Sequence, residues 1–251
     1  MAIRVISKSQ QAYGAFNNGQ IIENKPVGFP QDGGFVRPFS NLFYWARAEA
    51  VVGSTIGLHP HQGFEIMSFV LEGDIRHFDS AHEEWRPLNE GDVQIIRSGS
   101  GIKHAEHLEK GAVIFQIWMD PDLSQTLKVP ATYDDYKATD FPVQQHGENE
   151  ETVLIGAGSP LELTTKPLSI SRYHVREELA MATGPDEIFS IYVINGSGTI
   201  GGETVEQDDF VIAESADDVT IEPHADMDIF VVRLASKLPY RTYAERMAIL
   251  N

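Results

Sequence analysis

Apolar residues recur at every second position, or bunch into short runs, through most of this chain. In the first half such stretches fill residues 66–78, 93–97 and 113–119; in the second they fill 188–194, 210–213, 219–222 and 228–234. A repeat of two marks a strand with one face turned to a core. Glu72-Gly73-Asp74, Asn89-Glu90-Gly91-Asp92 and Gly99-Ser100-Gly101 separate the stretches, and these residue types close turns. Short strands with Gly-rich turns predict an antiparallel sandwich or barrel. Residues 120–147 are rich in Pro, Asp and Gln with little apolar periodicity, and they read as a connection between domains. In the tail, 239–251, Tyr243, Met247 and Leu250 fall at helical spacing and predict a short docked helix.

The two halves follow one plan. Val70-Leu71-Glu72-Gly73-Asp74 begins a hairpin, and Glu90-Gly91-Asp92-Val93 begins its return strand. Val193-Ile194-Asn195-Gly196-Ser197-Gly198 and Asp208-Asp209-Phe210-Val211 hold the equivalent places further on. Such self-similarity predicts an internal duplication of a small β-barrel, and 251 residues suffice for two.

Charge narrows the function. A net charge of −18 with no visible Lys/Arg cluster repels phosphate backbones and anionic membrane surfaces, so neither nucleic acid nor membrane is an expected partner. The N-terminal Met1-Ala2-Ile3-Arg4-Val5-Ile6-Ser7-Lys8 turns polar before a signal-peptide core can form, and no run of about 18 apolar residues occurs. The expectation is a soluble, cytoplasmic protein. Without cysteine there are no disulfides and no thiol catalysis, and any metal must be held by nitrogen and oxygen.

The chemistry concentrates in His59-Pro60-His61 and, 43 residues later, His104-Ala105-Glu106. Alternate residues of an extended strand share a face. Two such strands side by side would aim three imidazoles and one carboxylate at a common point, a donor set that suits iron, nickel, copper or zinc. Glu65 competes for the carboxylate role, because an unbroken strand would put it on the same face as His61. His107 should point away, and His77, His82, His146 and His174 read as solvated or core-satisfied histidines. The second half looks chemically quiet. Counting back from Gly196 as His59 and His61 precede Gly73 gives Ala182 and Gly184, which cannot ligate. His224-Ala225-Asp226 mimics His104-Ala105-Glu106 but lacks a facing pair. Neither a P-loop nor a G-x-S-x-G elbow is present.

Gly53-x5-His59-Pro60-His61-x3-Glu65, closed by Gly73, resembles the first cupin motif. Gly91-Asp92-Val93-Gln94 through Gly99-Ser100-Gly101-Ile102-Lys103-His104-Ala105-Glu106 resembles the second. The narrower pattern is similar to pirin-family bicupins: His-Pro-His-x-Gly-Phe-Glu, then Leu-Glu-Gly, Asp79-Ser80, Gly-Asp-Val-Gln and Gly-x-Gly-Ile-x-His-x-Glu. Trp118-Met119-x-Pro121, Pro130-x2-Tyr133 and Leu154-Ile155-Gly156-Ala157-Gly158-Ser159-Pro160 extend the likeness. The resemblance implies an all-β chain of two tandem cupin barrels (double-stranded β-helices) with a short C-terminal helix. The expected boundaries are 1–125 for the metal-binding barrel, 126–150 for the connection and 151–251 for the degenerate barrel with the helix.

The resemblance further implies one divalent metal ion per chain, typically iron, with nickel, copper, manganese, cobalt and zinc as alternatives. His59, His61, His104 and Glu106 would be its ligands, leaving Glu65 outside the ligand set. It implies a quercetin 2,3-dioxygenase-type oxidoreductase acting on flavonols or similar phenolics, with Glu106 as base on the 3-hydroxyl. Two other roles stand beside that one: a metal- or redox-sensing regulator with a protein partner, and a small-molecule-binding cupin without turnover. Phe64, Met67, Phe69, Ile102 and Phe115 are candidates to line the pocket, or equally to fill the barrel core. Gln62 stands where the family usually has a basic residue, and Ala105 where a larger polar one is common.

Overall fold

The fold was analysed in a computed structural model, which describes every residue except 1, 30, 215–217 and 251, and not the side chain of Leu250. Strands make up nearly all of the regular structure among the described residues. In order these are β1 (Ala2–Ile6), β2 (Ala12–Phe16), β3 (Ile21–Val27), β4 (Leu42–Ala50), β5 (Ser54–His61), β6 (Glu65–Glu72), β7 (Ile75–Asp79), β8 (Trp85–Leu88), β9 (Val93–Arg97), β10 (Ile102–Leu108), β11 (Val113–Met119) and β12 (Thr132–Tyr136). There follow β13 (Val143–His146), β14 (Asn149–Ile155), β15 (Ser169–Val175), β16 (Leu179–Met181), β17 (Glu187–Asn195), β18 (Gly198–Ile200), β19 (Glu203–Val205), β20 (Phe210–Glu214), β21 (Val219–Pro223) and β22 (Met227–Ala235). Among the described residues, two α-helices, the single turn α1 (Leu123–Thr126) and the C-terminal α2 (Tyr243–Leu250), and three 3-10 turns complete the list.

The predicted duplication is present strand for strand. One half has a seven-stranded sheet ordered β12-β9-β6-β11-β4-β3-β2 and a four-stranded sheet ordered β5-β10-β7-β8. The other has β1-β20-β17-β22-β15-β14-β13 and β16-β21-β18-β19. Each half is therefore a two-sheet cupin barrel, with alternate residues of its strands facing a common core.

The compact units are residues 11–138 with 239–251, and residues 1–10 with 139–238. Strand β1 adds to the edge of the C-terminal barrel's sheet, pairing Ile3 with Ala213 and Val5 with Val211. Helix α2 belongs to the N-terminal barrel. The expected connection is also not structureless. Tyr133 of β12 pairs with Ile96, and Val143 of β13 pairs with Thr152. Both are edge strands in acidic or amide-rich sequence, where apolar alternation is weakest.

Helix α2 begins with a reciprocal cap. The Glu245 amide donates to Thr242 Oγ1 at 3.2 Å, and the Thr242 amide donates to Glu245 Oε2 at 3.0 Å. The carboxylate of Asp120 accepts from the amides of Tyr243 and Ala244, each at 3.0 Å. Tyr243 sets its ring against Phe43 and Phe64, with centroids 5.9 and 5.7 Å away. The docked helix read from the spacing of Tyr243 and Met247 is present.

Candidate metal centre

The four-stranded sheet of the N-terminal barrel builds the centre. His59 and His61 are two apart on β5, and His104 on β10 sits directly opposite His59 in the antiparallel register. Strand β5 bulges at Gly57 and Leu58 opposite Ala105, because the register slips between His104 and Glu106. A bulge bends a strand and re-aims its side chains. Gly101, at φ 136°, turns the chain into β10 through backbone that an L side chain rarely adopts.

One nitrogen each from His59, His61 and His104 lies within 4.8 Å of the others. The protonation pattern suits a cation. Gly57 O can only accept, so the 2.8 Å contact to His59 Nδ1 puts the hydrogen there and leaves Nε2 with its lone pair. His59 Nε2 and His104 Nε2 are 3.0 Å apart. His61 Nε2 is buried with no hydrogen-bond partner. A buried, unpartnered nitrogen in a cluster of imidazoles is what a bound divalent ion satisfies. Burial, together with the neighbouring His104 and His59, pushes the His61 pKa down to about 3. Burial and His59 also hold His104 well below its ordinary value. Both rings are thus in the neutral form that binds metal.

Glu106, 1% exposed, shares the inward face of β10 with His104, yet it lies outside the 4.8 Å group. Its carboxylate is held by the opposite sheet. Oε1 accepts from Ser68 Oγ at 2.9 Å and Gln94 Nε2 at 3.1 Å, and Oε2 accepts from Gln116 Nε2 at 2.7 Å. Gln116 is oriented in turn by Trp118, whose Nε1 donates to Gln116 Oε1 at 3.2 Å. Ser68, Gln94 and Gln116 form one cross-strand row on β6, β9 and β11. Sequence reasoning did not single them out as site residues. The available signal is a lone polar residue inside an otherwise apolar strand, as in Ile66-Met67-Ser68-Phe69 or Phe115-Gln116-Ile117, where burying it without a partner would be costly.

Glu65 is equally buried but lies on the other face of β6 from Ser68. The strand is broken between His61 and Glu65, where Gly63 takes φ 83°, so the spacing of four carries no shared face. Met67, Phe69 and Phe115 also lie on that far face and do not line the site. Ile102 and Phe64 belong to the near side, in apolar clusters with Trp118, and Trp118 meets His61 edge to face at 4.7 Å. Gln62 Nε2 donates to Ser100 O at 3.1 Å, and Ala105 is buried.

Five further histidines have their own partners. His77 is fully buried, pairs with Asp79 at 3.1 Å and stacks on Tyr133 at 4.3 Å. His82 also pairs with Asp79, His107 with Thr55, His146 with Glu151 and His174 with Asp228.

The C-terminal barrel shows what the same frame looks like without the site. Matching the two sets of cross-strand partners puts Met181 in the place of His59, Val219 in that of His104 and Ile221 in that of Glu106. The positions expected by counting, Ala182 and Gly184, are displaced because the β16–β17 connection is longer than β5–β6. His224 and Asp226 fall beyond the end of β21. The three donors to Glu106 change with it: Ser68, Gln94 and Gln116 correspond to Ile191, Val211 and Val231. All six replacements fall in one apolar cluster. The carboxylate and its donors are present together in one barrel and absent together in the other, as expected if they serve the imidazoles.

Residues 32–119, which span both histidine motifs, match the family model described as Pirin. The chain carries a pirin domain. Its fold is that of the bicupins: a bacterial pirin from Escherichia coli solved with nickel(II) superposes with a TM-score of 0.80 at 20% identity, covering 94% of this chain and 100% of that one. A quercetin 2,3-dioxygenase from Acinetobacter baumannii gives 0.78 at 18% identity, covering 98% and 86%. In sequence, a Pseudomonas aeruginosa protein provisionally named as a quercetin 2,3-dioxygenase is 42% identical over 86 residues. That match spans 34% of this chain and 37% of the relative. No helix among the described residues is long and apolar enough to cross a membrane.

Proposed function

We propose that this pirin-domain protein is a metal-dependent oxygenase of the quercetin 2,3-dioxygenase type, with a flavonol or similar phenolic as substrate. The observation that carries it is the cluster of three imidazoles with an unpartnered His61 Nε2, set against a buried carboxylate that three side chains hold in place. His59, His61 and His104 would hold one divalent ion, of which iron is our first choice, and Glu106 would complete the set by exchanging part of its hydrogen bonding. When bound, the ion supplies Lewis acidity and a meeting place for a chelating phenolic and dioxygen. The protein supplies the rest. Trp118 and Phe64 offer ring faces against which a flat aromatic can lie. Glu106 would take the proton of the substrate hydroxyl at Oε2, where Gln116 is its side-chain donor. The apolar wall of Ile102, Ile66 and Ile96 keeps water from the reacting face.

The test is oxygen uptake by protein loaded separately with iron, nickel, copper, manganese, cobalt or zinc, with quercetin as substrate. Uptake above a flavonol-only control is expected with at least one metal and is expected to vanish in His61→Ala. If no metallated form consumes oxygen, the oxygenase reading fails and a binding or regulatory role leads.

A further inference from the structure

The C-terminal barrel has lost the metal ligands but not its mouth. A cavity of about 410 Å³ lies there, within the size range of small-molecule sites. Its apolar lining includes Leu179, Met181 and Phe189, and its polar lining includes Glu151, Tyr173 and Arg233. The register places Arg233 where Trp118 stands in the N-terminal barrel, and Phe189 where Ile66 stands.

The chemistry points to one ligand class. The Arg233 guanidinium lies over the Phe189 ring, 4.8 Å from its centroid. One terminal nitrogen donates to Glu187 Oε2 at 2.6 Å and to Ala182 O at 3.3 Å. Its Nε is buried and has no partner, and a buried donor left unmade is costly. The polar lining around Glu151 is already satisfied. Glu151 Oε1 accepts from Ser171 at 2.7 Å and Tyr173 at 2.8 Å, while His146 Nε2 meets Oε2 at 2.8 Å. An incoming group therefore finds a guanidinium that is 32% exposed and not fully paired, beside an apolar wall. Glu151 and Glu187 lie close enough to disfavour a doubly charged anion.

We infer that this cavity binds a small aromatic carboxylate, its carboxylate on Arg233 and its ring against Phe189, Leu179 and Met181. A planar carboxylate matches the guanidinium edge, and the ring replaces water on the apolar wall. The site is independent of the metal centre and of the oxygenase proposal.

The probe is 4-hydroxybenzoate, titrated calorimetrically into the full-length protein, with benzamide as the uncharged control. Saturable binding with a dissociation constant of about 1 mM or tighter is expected. It should weaken at least about tenfold for benzamide and for Arg233→Met, and be unchanged in His61→Ala. In the unsubstituted protein, the methyl signal of Met181 and the ring signals of Phe189 should shift along the titration, a reading that does not depend on how Arg233→Met folds. The proposal is overturned by an absence of saturable binding at about 10 mM, by unshifted Met181 and Phe189 signals at saturation, or by binding that survives Arg233→Met but disappears in His61→Ala.

Discussion

At the scale of single residues, the centre separates two buried glutamates that composition cannot tell apart. Glu106 shares a strand face with His104 and receives three side-chain donors, whereas Glu65 lies on the far face of β6. Glu106→Gln is therefore expected to lower metal affinity by more than the roughly 10–100-fold typical of losing an outer partner, while Glu65→Gln leaves it nearly unchanged. A side-by-side metal titration decides, and the reverse order would refute the assignment. The histidines also make a pH prediction for the metal-free protein. His61 titrates near 3 when folded and at about 6.5 when unfolded. Between those values the unfolded chain binds the extra proton, so stability rises with pH across that window and falls on acidification below about 6.5. His61→Gln should flatten the dependence of the unfolding free energy on pH there by up to about 1.4 kcal/mol per pH unit, read from denaturant titrations at several pH values.

At the scale of elements, side chains that satisfy backbone ends fix what surrounds the centre. Asp120 is the clearest case. It is 1% exposed, and burial raises its pKa above the ordinary carboxylate value despite the amides of Tyr243 and Ala244 that oppose the shift. Those two amides are orphan donors at the first turn of α2. Asp120→Ala should cost about 1–2 kcal/mol of stability. It should also speed amide exchange in 243–250 and loosen Tyr243 from Phe43 and Phe64. Unchanged exchange in that segment would show that ring packing alone holds the helix. Asp92 plays a similar part ahead of β9. Burial raises its pKa, but the Asn89 amide, the Lys137 ammonium and the Ala138 amide outweigh that and hold it below the ordinary aspartate value, pinning the turn that presents Gln94.

At the scale of the whole molecule, the duplication lets one barrel specialise while the other keeps an apolar interior. Each barrel has its own two sheets, and β1 belongs to the C-terminal one, where Ile3 and Val5 pack against its core cluster. Deleting residues 1–10 should lower the melting temperature of that barrel while leaving one metal bound per chain. Calorimetry with a parallel metal titration reads both quantities, and loss of metal binding would show that the barrels are not separable in this way.

Much of this was legible before any coordinates. Strand periodicity and Gly-marked turns determine an all-β duplicated chain, because side-chain direction alternates along any extended backbone. For the same reason, His59 with His61 and His104 with Glu106 share faces wherever their strands lie. The docked helix was legible in the spacing of Tyr243 and Met247. Tertiary structure alone decided the rest. Glu65 turned away because the chain breaks at Gly63. The true counterparts of the ligands, Met181, Val219 and Ile221, follow from hydrogen-bond register, and counting along the sequence misses them because loop length varies while register does not. Strand β1 joined the distant barrel because a sheet edge accepts any strand with the right pattern, however far along the chain it comes. The donors Ser68, Gln94 and Gln116 acquired meaning only when the opposite sheet brought Glu106 to them, since a lone polar residue in an apolar strand does not name its partner.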